Sequence, residues 1–399
     1  MYLTKNQERL LAGEKGNAIA KMMNLIIKIG VVNNADKLIQ IKSAQIAGVS
    51  YHTVGDAIFS FFDLLSSDKV KVKVPSWLNP AGMDRLRWKE MGVRTIFAEK
   101  QFEILKHYEE MGIETTLTCT PYLIGLEPSF GDHLAWSESS AVSMANSFFG
   151  ARTNREGGPS SLASAITGFT ANYGMHKEEN RIPKTFVEVK AETKTLSDFS
   201  ALGYWYGEMF GDSIPLFNSF SSFTIDEAKM LSSAIAASGS VPLFHVEAKT
   251  PEAKTVKTTE IENKIVYAEE DKEKVYEHFN QIKDHADLVA IGCPHTSLVD
   301  LQLINEYTQN AKIKDEIEVW IFTSKLISQD EKASRLIYEL EKKGIRVFTD
   351  TCMVVSPAIS EKFENILTNS AKAAFYLTRD GTINVNLLSL NEIMESVVQ

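Results

Sequence analysis

Three residues of this chain can bind a soft metal as thiolates, and they are its only cysteines: Cys119, Cys293 and Cys352 in 399 residues. Each is expected just past the C-terminal end of a strand. Thr116-Leu117-Thr118 is a short β-branched run that stops at Cys119 and Pro121. Asp287 to Ile291 runs into Gly292-Cys293-Pro294-His295, and Ile345 to Thr349 runs into Asp350-Thr351-Cys352. Ligands of open α/β sheets bind beyond that edge. Three thiolates gathered there could hold an iron–sulfur cluster and leave one iron without a protein ligand. A cysteine on its own is more often a small buried hydrophobe; the strand–Cys–loop context common to all three argues the other way. No C-x-x-C is present, so structural zinc and thioredoxin-type chemistry have little support. An odd count without pairs speaks against a disulfide framework.

A second group of residues could bind an anion. Gly150 to Ser161 combines Arg152, Arg155, adjacent Gly157 and Gly158, and two serines that open a helix at Ser160. Backbone N–H donors and forked guanidinium groups suit a phosphate or carboxylate. The loop lacks G-x-x-x-x-G-K-[ST], so it is no nucleotide P-loop, and a solvated surface loop would have the same composition. Upstream, Ser137 is the expected N-cap of a helix with Glu138 and Ser139 in its first turn. An acidic residue there favours the helix dipole, and backbone N–H groups there can face an anion. Lys42 to Tyr51, with Gly48, Val49 and Ser50, has small residues and little periodicity, and reads as a loop that backbone could bring close to a ligand. Asn79, held extended by Pro80, could present its amide to a ligand or cap a helix.

The elements that must position these groups read as alternating strands and helices. Residues 4 to 30 are helical, capped at Thr4 and interrupted at Gly13 and Gly16, and Ala35 to Ile41 is a second short segment. Lys71 to Val74 alternates as a strand and enters a turn-rich loop from Pro75 to Met83. Arg85 to Met91 is expected helical, Thr95 to Phe97 a strand, and Lys100 to Met111 a helix. A new region opens with a strand from Phe186 to Ala191. Val241 to Val246 is another strand, whose His245 suits the core. Residues 247 to 275, rich in Lys, Glu and Thr, read as a solvated excursion. From Asp287 onwards strand and helix alternate clearly, closing with a strand at Ala373 to Leu377. The expected architecture is α/β with parallel sheets, in an N-terminal domain over 1–190 and a C-terminal domain over 191–399.

Composition bounds the functions available. Apolar content of 44% and charged content of 24% are those of a soluble globular protein. A net charge of −10 disfavours nucleic acid and anionic membrane as partners. The apolar runs are too short to span a bilayer. Met1 leads directly into a capped helix rather than a signal peptide, so a reducing cytoplasm is the expected location.

Seven motifs together resemble, over nearly the whole chain, the large subunit of the aconitase X family. They are Ala47-Gly48-Val49-Ser50-Tyr51, Leu78-Asn79-Pro80-Ala81-Gly82-Met83-Asp84, Thr118-Cys119-Thr120-Pro121-Tyr122, Trp136-Ser137-Glu138-Ser139-Ser140, Gly150 to Gly158, Gly292-Cys293-Pro294-His295 and Asp350-Thr351-Cys352. The resemblance is greatest to the archaeal branch, which dehydrates phosphomevalonate in isoprenoid synthesis; the runner-up branch dehydrates cis-3-hydroxyproline. It implies an aconitase-like fold of three-layer α/β/α units around a cluster-binding cleft. It implies a [4Fe–4S] cluster on Cys119, Cys293 and Cys352, although three thiolates would also suit a smaller cluster. It implies that Gly48, Val49, Ser50, Asn79, Pro80, Glu138, Ser139 and Lys372 face a small phosphorylated hydroxy-acid substrate. Aconitase itself places two ligands in C-x-x-C and carries a mobile extra domain with a catalytic serine. Here the family precedent is a separate small subunit bearing that swivelling domain and serine. A non-catalytic binding protein on the same fold is the competing class, with no physical need for both the cysteines and the Arg/Gly loop.

Overall fold

The strand that organises the N-terminal part is Ala44–Ile46, and all three of its residues are buried. It lies between Ser76–Leu78 and Ala135–Trp136 in a parallel sheet. A parallel strand covered on both faces shows no polar/apolar alternation, which is why Lys42 to Tyr51 reads as a loop in the sequence. In this computed structural model residues 1–66, 68–256, 258, 261, 263–309 and 312–398 are described. The expected helical start is present as Lys5–Leu11 and Asn17–Val32, the first closed by a capping box between Thr4 and Gln7. The segment after it contributes the strand Leu38–Gln40, antiparallel to Phe169–Ala171.

Several neighbouring expectations give way to packing. Lys71 to Val74 forms no strand: Val72 donates to Met111 O and Lys73 to Ala165 O, the ends of two helical regions. The strand begins instead inside the proline-rich loop, at Ser76. Arg85 to Met91 is a series of turns held by Asp84, whose carboxylate accepts from Leu86 N and Arg87 N. Thr95 to Phe97 is the first turn of the helix Thr95–Glu110, whose buried stripe of Phe97, Ala98, Gln101, Ile104, Leu105 and Tyr108 has helical spacing. Three residues were too short a window to show that period.

The next sheet is four-stranded and parallel, ordered His245–Val246, Pro215–Phe217, Thr185–Val189, Asn263–Tyr267. Its outer strand falls within the expected excursion 247–275, of which residues 257, 259, 260 and 262 lie outside the described residues. An edge strand with one side in water keeps polar residues, so its Lys and Asn obscured it. Beneath it, Leu196–Phe210 and Ile225–Ser238 cross so closely that a Cβ on Gly203 would stand 2.7 Å from Leu231 O. The C-terminal sheet is five-stranded and parallel, ordered Ile345–Thr349, Glu318–Thr323, Leu288–Thr296, Asn365–Thr368, Asn384–Leu387. The expected last strand at Ala373 is the helix Ala371–Leu377, capped by the Ser370 hydroxyl. No helix among the described residues is long and apolar enough to cross a membrane.

Candidate active site

Each cysteine follows a backbone residue in the left-handed region. Leu117 (φ 48°) stands two before Cys119, Gly292 (φ 112°) one before Cys293, and Asp350 (φ 66°) two before Cys352. Such conformations cost of order 1–3 kcal/mol for a side-chain-bearing residue and cluster at functional sites. Only glycine fits at 292, because a Cβ there would meet Phe322 O at 2.2 Å. Asp350 is held by Arg85, 2.7 Å between Nε and Oδ2. The expected strand before Cys119 is not formed: Thr118 N donates to Leu78 O, but the kink at Leu117 prevents a regular ladder. Cys293 lies within the strand Leu288–Thr296 rather than past its end, where the pairing register shifts between Ile291 and Thr296. Cys352 follows its strand as expected.

The three thiols are buried and share one electrostatic neighbourhood with Glu138 and Lys372. Burial pushes all three up, Cys293 to about 12, while Lys372 draws each down. Cys119 Sγ accepts from His295 N at 3.3 Å. Among the described residues no three of His, Cys, Asp and Glu close on a point that would hold a single metal ion. The donor set fits an iron–sulfur group: three soft ligands in a dry pocket, a main-chain N–H on one sulfur and a cation within reach. Two buried hydroxyls without a partner among the described residues, Tyr122 Oη and Thr351 Oγ1, stand on the Cys119 and Cys352 loops. Buried polar groups left unpaired in a native fold call for a further partner.

Glu138 is the N-cap of Ser139–Ser147, not a first-turn residue, and its carboxylate accepts from Ala141 N at 2.7 Å. Ser137 cannot cap because its hydroxyl accepts from Ala47 N and donates to Gln45 O. Glu138 also accepts from Ser140 Oγ at 2.6 Å and lies 3.4 Å from Ser139 Oγ. The oxygen near Ser139, Oε1, also meets Lys372 Nζ at 2.5 Å, while Ser140 and Ala141 donate to Oε2. Burial pushes the Glu138 carboxyl up, but Lys372, Ser140 and Ala141 outweigh it and hold the group below its ordinary range. Lys372 is raised in turn, chiefly by Glu138 against its own burial. The pair is therefore carboxylate and ammonium.

Two glutamines that sequence reasoning missed tie the surrounding loops together. Gln101 accepts from Tyr51 N and Gly82 N at 3.0 Å and donates to Val49 O at 2.9 Å, joining the Gly48–Ser50 loop to the Asn79–Gly82 loop. Gln45 Nε2 lies 3.4 Å from Thr118 O, and its Oε1 3.4 Å from Glu138 N. A fully buried polar side chain on an apolar stripe was the available signal. Ser50 Oγ donates to Val355 O, and Ala81, next to Pro80, donates from its main chain to Asp350 O, so both loops touch the Cys352 segment. Asn79 Oδ1 is buried without a partner among the described residues. Gly48, by contrast, is exposed, with φ 72°.

The Gly150–Ser161 loop divides. Its helix begins at Gly158 rather than Ser160, and a Cβ on Gly158 would stand 2.5 Å from Ala47 O, which ties this end to the substrate loops. Arg155 is exposed and reaches only Ala236 O at 3.5 Å. Arg152 is not brought to the thiols: it pairs across a bridge with His133 and reaches His176 O, lining a separate cavity with Arg181, Glu252 and His245. The cause is register, since Arg152 sits beside the start of the strand Ala135–Trp136 and Arg155 beyond its end. His245 is core as expected, its ring bonded to Arg181 O.

Three buried thiols on strained loops, beside a buried acid–base pair, define a class, and the sequence comparison agrees. Models of the aconitase X first, second and third domains match residues 1–179, 183–277 and 286–399. The chain belongs to the aconitase X family. It is 45% identical to the phosphomevalonate dehydratase large subunit of Methanosarcina mazei, over 94% of this chain and 92% of that one. It is 44% identical to the Thermococcus kodakarensis protein of the same name, over 96% of each. The cis-3-hydroxy-L-proline dehydratase of Hypocrea jecorina is 31% identical, over 94% of this chain and 65% of that one. The holo-form crystal structure of Thermococcus kodakaraensis aconitase X superposes with a TM-score of 0.93 at 42% identity, covering 100% of both chains.

Proposed function

We propose that this chain is the large subunit of a phosphomevalonate dehydratase, a hydro-lyase that removes water from (R)-5-phosphomevalonate to give trans-anhydromevalonate 5-phosphate. The observation that carries the reading is the buried Glu138–Lys372 pair beside three thiols on strained loops, in a chain 44–45% identical to proteins of that name. Cys119, Cys293 and Cys352 would hold a [4Fe–4S] cluster, which when bound supplies Lewis acidity for the departing hydroxyl and the substrate carboxylate.

The protein's own groups do the rest. Lys372 presents a positive charge in a dry site, where it counts for more than in water. Glu138 enters the reaction as a carboxylate. As a carboxylate it can protonate the departing hydroxyl only after gaining the proton that the base removes from the substrate; until then its 2.5 Å contact holds Lys372 in its charged form. Ser139 orients the carboxylate oxygen that Lys372 meets. Gly48, Val49, Ser50 and Pro80 form the wall, Asn79 offers its unpaired Oδ1 to a substrate hydroxyl, and Arg155 meets the phosphate. Residues 1–190 supply Cys119, Glu138 and these loops; residues 191–399 supply Cys293, Cys352 and Lys372. A small subunit with a swivelling domain covers the site and contributes the serine base, and the enzyme works in the reducing cytoplasm.

The test is anaerobic co-expression with the small subunit, followed by assay of phosphomevalonate and cis-3-hydroxyproline. Brown protein that dehydrates only the former is expected. Turnover of hydroxyproline alone would move the chain to the other branch. Full activity of this chain alone would sink the split-site reading.

A further inference from the structure

We propose that His295 is a clasp that fixes the three cysteine loops relative to one another, a positioning residue for the cluster; this rests on the iron–sulfur reading above. His295 lies two residues after Cys293. Its main-chain N–H donates to Cys119 Sγ at 3.3 Å. Its ring bridges the other two loops, with Nδ1 3.1 Å from Thr118 Oγ1 and Nε2 2.8 Å from Thr351 O. Thr118 precedes Cys119 and Thr351 precedes Cys352. A carbonyl oxygen can only accept, so Nε2 carries the hydrogen and Nδ1 is the bare nitrogen that takes the Thr118 hydroxyl's hydrogen. Both ring nitrogens are thus engaged, and the ring has no free position with which to act as a base on substrate.

The clasp has work to do because the loops it joins hold Leu117, Gly292 and Asp350 in the left-handed region. Such backbone persists only where the surroundings over-determine it. His295 is itself gripped from behind: Lys229 Nζ lies 3.4 Å from His295 O and is paired with Asp226 and Asp300 at 2.7 Å each. The main-chain N–H on Cys119 further favours that sulfur's ionised form, as outer hydrogen bonds do at metal–thiolate sites. The chain is therefore built so that one residue transmits the position of each cysteine loop to the other two.

The test compares full-length wild type with His295→Leu, which removes both ring bonds, and His295→Gln, whose planar amide retains one donor and one acceptor. After anaerobic reconstitution, loss of the cluster to a chelator is expected to be about 10–100-fold faster in His295→Leu, with His295→Gln between the two. The electron paramagnetic resonance spectrum of the dithionite-reduced cluster should broaden in His295→Leu. In cluster-free protein, Cys119 and Cys352 should alkylate faster in His295→Leu than in wild type. Thr118→Val, which keeps the histidine and removes one bond, should shift both rates the same way by less, and it carries the test if His295→Leu does not fold. Unchanged cluster lifetime and alkylation in these variants, or a Gln variant no better than Leu, would overturn the clasp. Wild-type protein that takes up neither iron nor sulfide, with alkylation still governed by residue 295, would overturn the cluster reading and support the clasp.

Discussion

Two lysines among the described residues are almost wholly buried, and they differ in what surrounds the charge. Lys229 lies between Asp226 and Asp300, both at 2.7 Å. Lys372 meets one carboxylate, Glu138, with Ser140 Oγ at 3.5 Å and the Cys293 and Cys119 thiols as further neighbours. Both are held above the ordinary lysine range by their carboxylates, so neither burial nor protonation separates them. The count of counter-charges does. Lys229 is over-neutralised and has nothing to offer an incoming anion. Lys372 is only matched, so a thiolate or a substrate carboxylate finds it receptive. The first arrangement is scaffold for the Gly292–His295 loop; the second is the one the proposed site calls for.

The largest effect should come from breaking the receptive pair. Lys372→Met is expected to cut turnover of the assembled enzyme by about 10²–10³-fold, the usual loss when one electrostatic stabiliser of a reaction is removed. Far-UV circular dichroism should be unchanged. Turnover within a few-fold of wild type would erase the distinction between the two lysines. Lys229→Met should act on the fold instead, leaving two carboxylates unpaired in the interior. A loss of about 3–5 kcal/mol in urea unfolding is expected. If Lys229→Met is as stable as wild type, the over-neutralised pair is not scaffold.

How far the sequence disclosed this site follows from the physics of each signal. The cysteine loops of the C-terminal sheet were legible because their strands, Leu288–Thr296 and Ile345–Thr349, are apolar runs between clear turns. The motifs, taken together, were specific enough to point to the family. Ala371–Leu377 was misread because a short, mostly buried run shows too little of a polar face to reveal a helical period; the Ser370 cap was the overlooked signal. Gln45 and Gln101 could not be given roles, since their partners are main-chain groups of loops distant in sequence. The division of the Gly150–Ser161 loop was invisible for a related reason: only strand register separates Arg152 from Arg155.

That division makes a smaller prediction. Arg155→Ala should weaken binding of a phosphorylated substrate by about 1.5–3 kcal/mol, the range for a charge-assisted hydrogen bond. Arg152→Ala should leave affinity unchanged, because its guanidinium faces His176 O in another cavity. Isothermal titration of both variants decides it. Equal losses would mean the loop closes as a unit on the phosphate.

The smallest effect concerns how the matched pair answers acid. In wild type the Glu138 carboxyl sits below its ordinary value of 4.5, with Lys372 the chief cause of the lowering. A carboxyl whose folded value is depressed contributes stability that is fully present above the unfolded value and is lost as pH falls through the folded one. Removing Lys372 leaves burial as the dominant influence, and burial raises the carboxyl. The sign then reverses: with the folded value above the unfolded one, the carboxyl's contribution is present at low pH and lost as pH rises. Urea midpoints of cluster-free protein between pH 4 and 8 should therefore show the gap between wild type and Lys372→Met narrowing on acidification. Glu138→Gln, which carries no titrating group there, should flatten the difference when combined with Lys372→Met. A gap that stays constant or widens towards pH 4 would mean that Glu138 is not a buried carboxylate held in its charged form by Lys372, and the contrast between the two lysines would have to be drawn on other grounds.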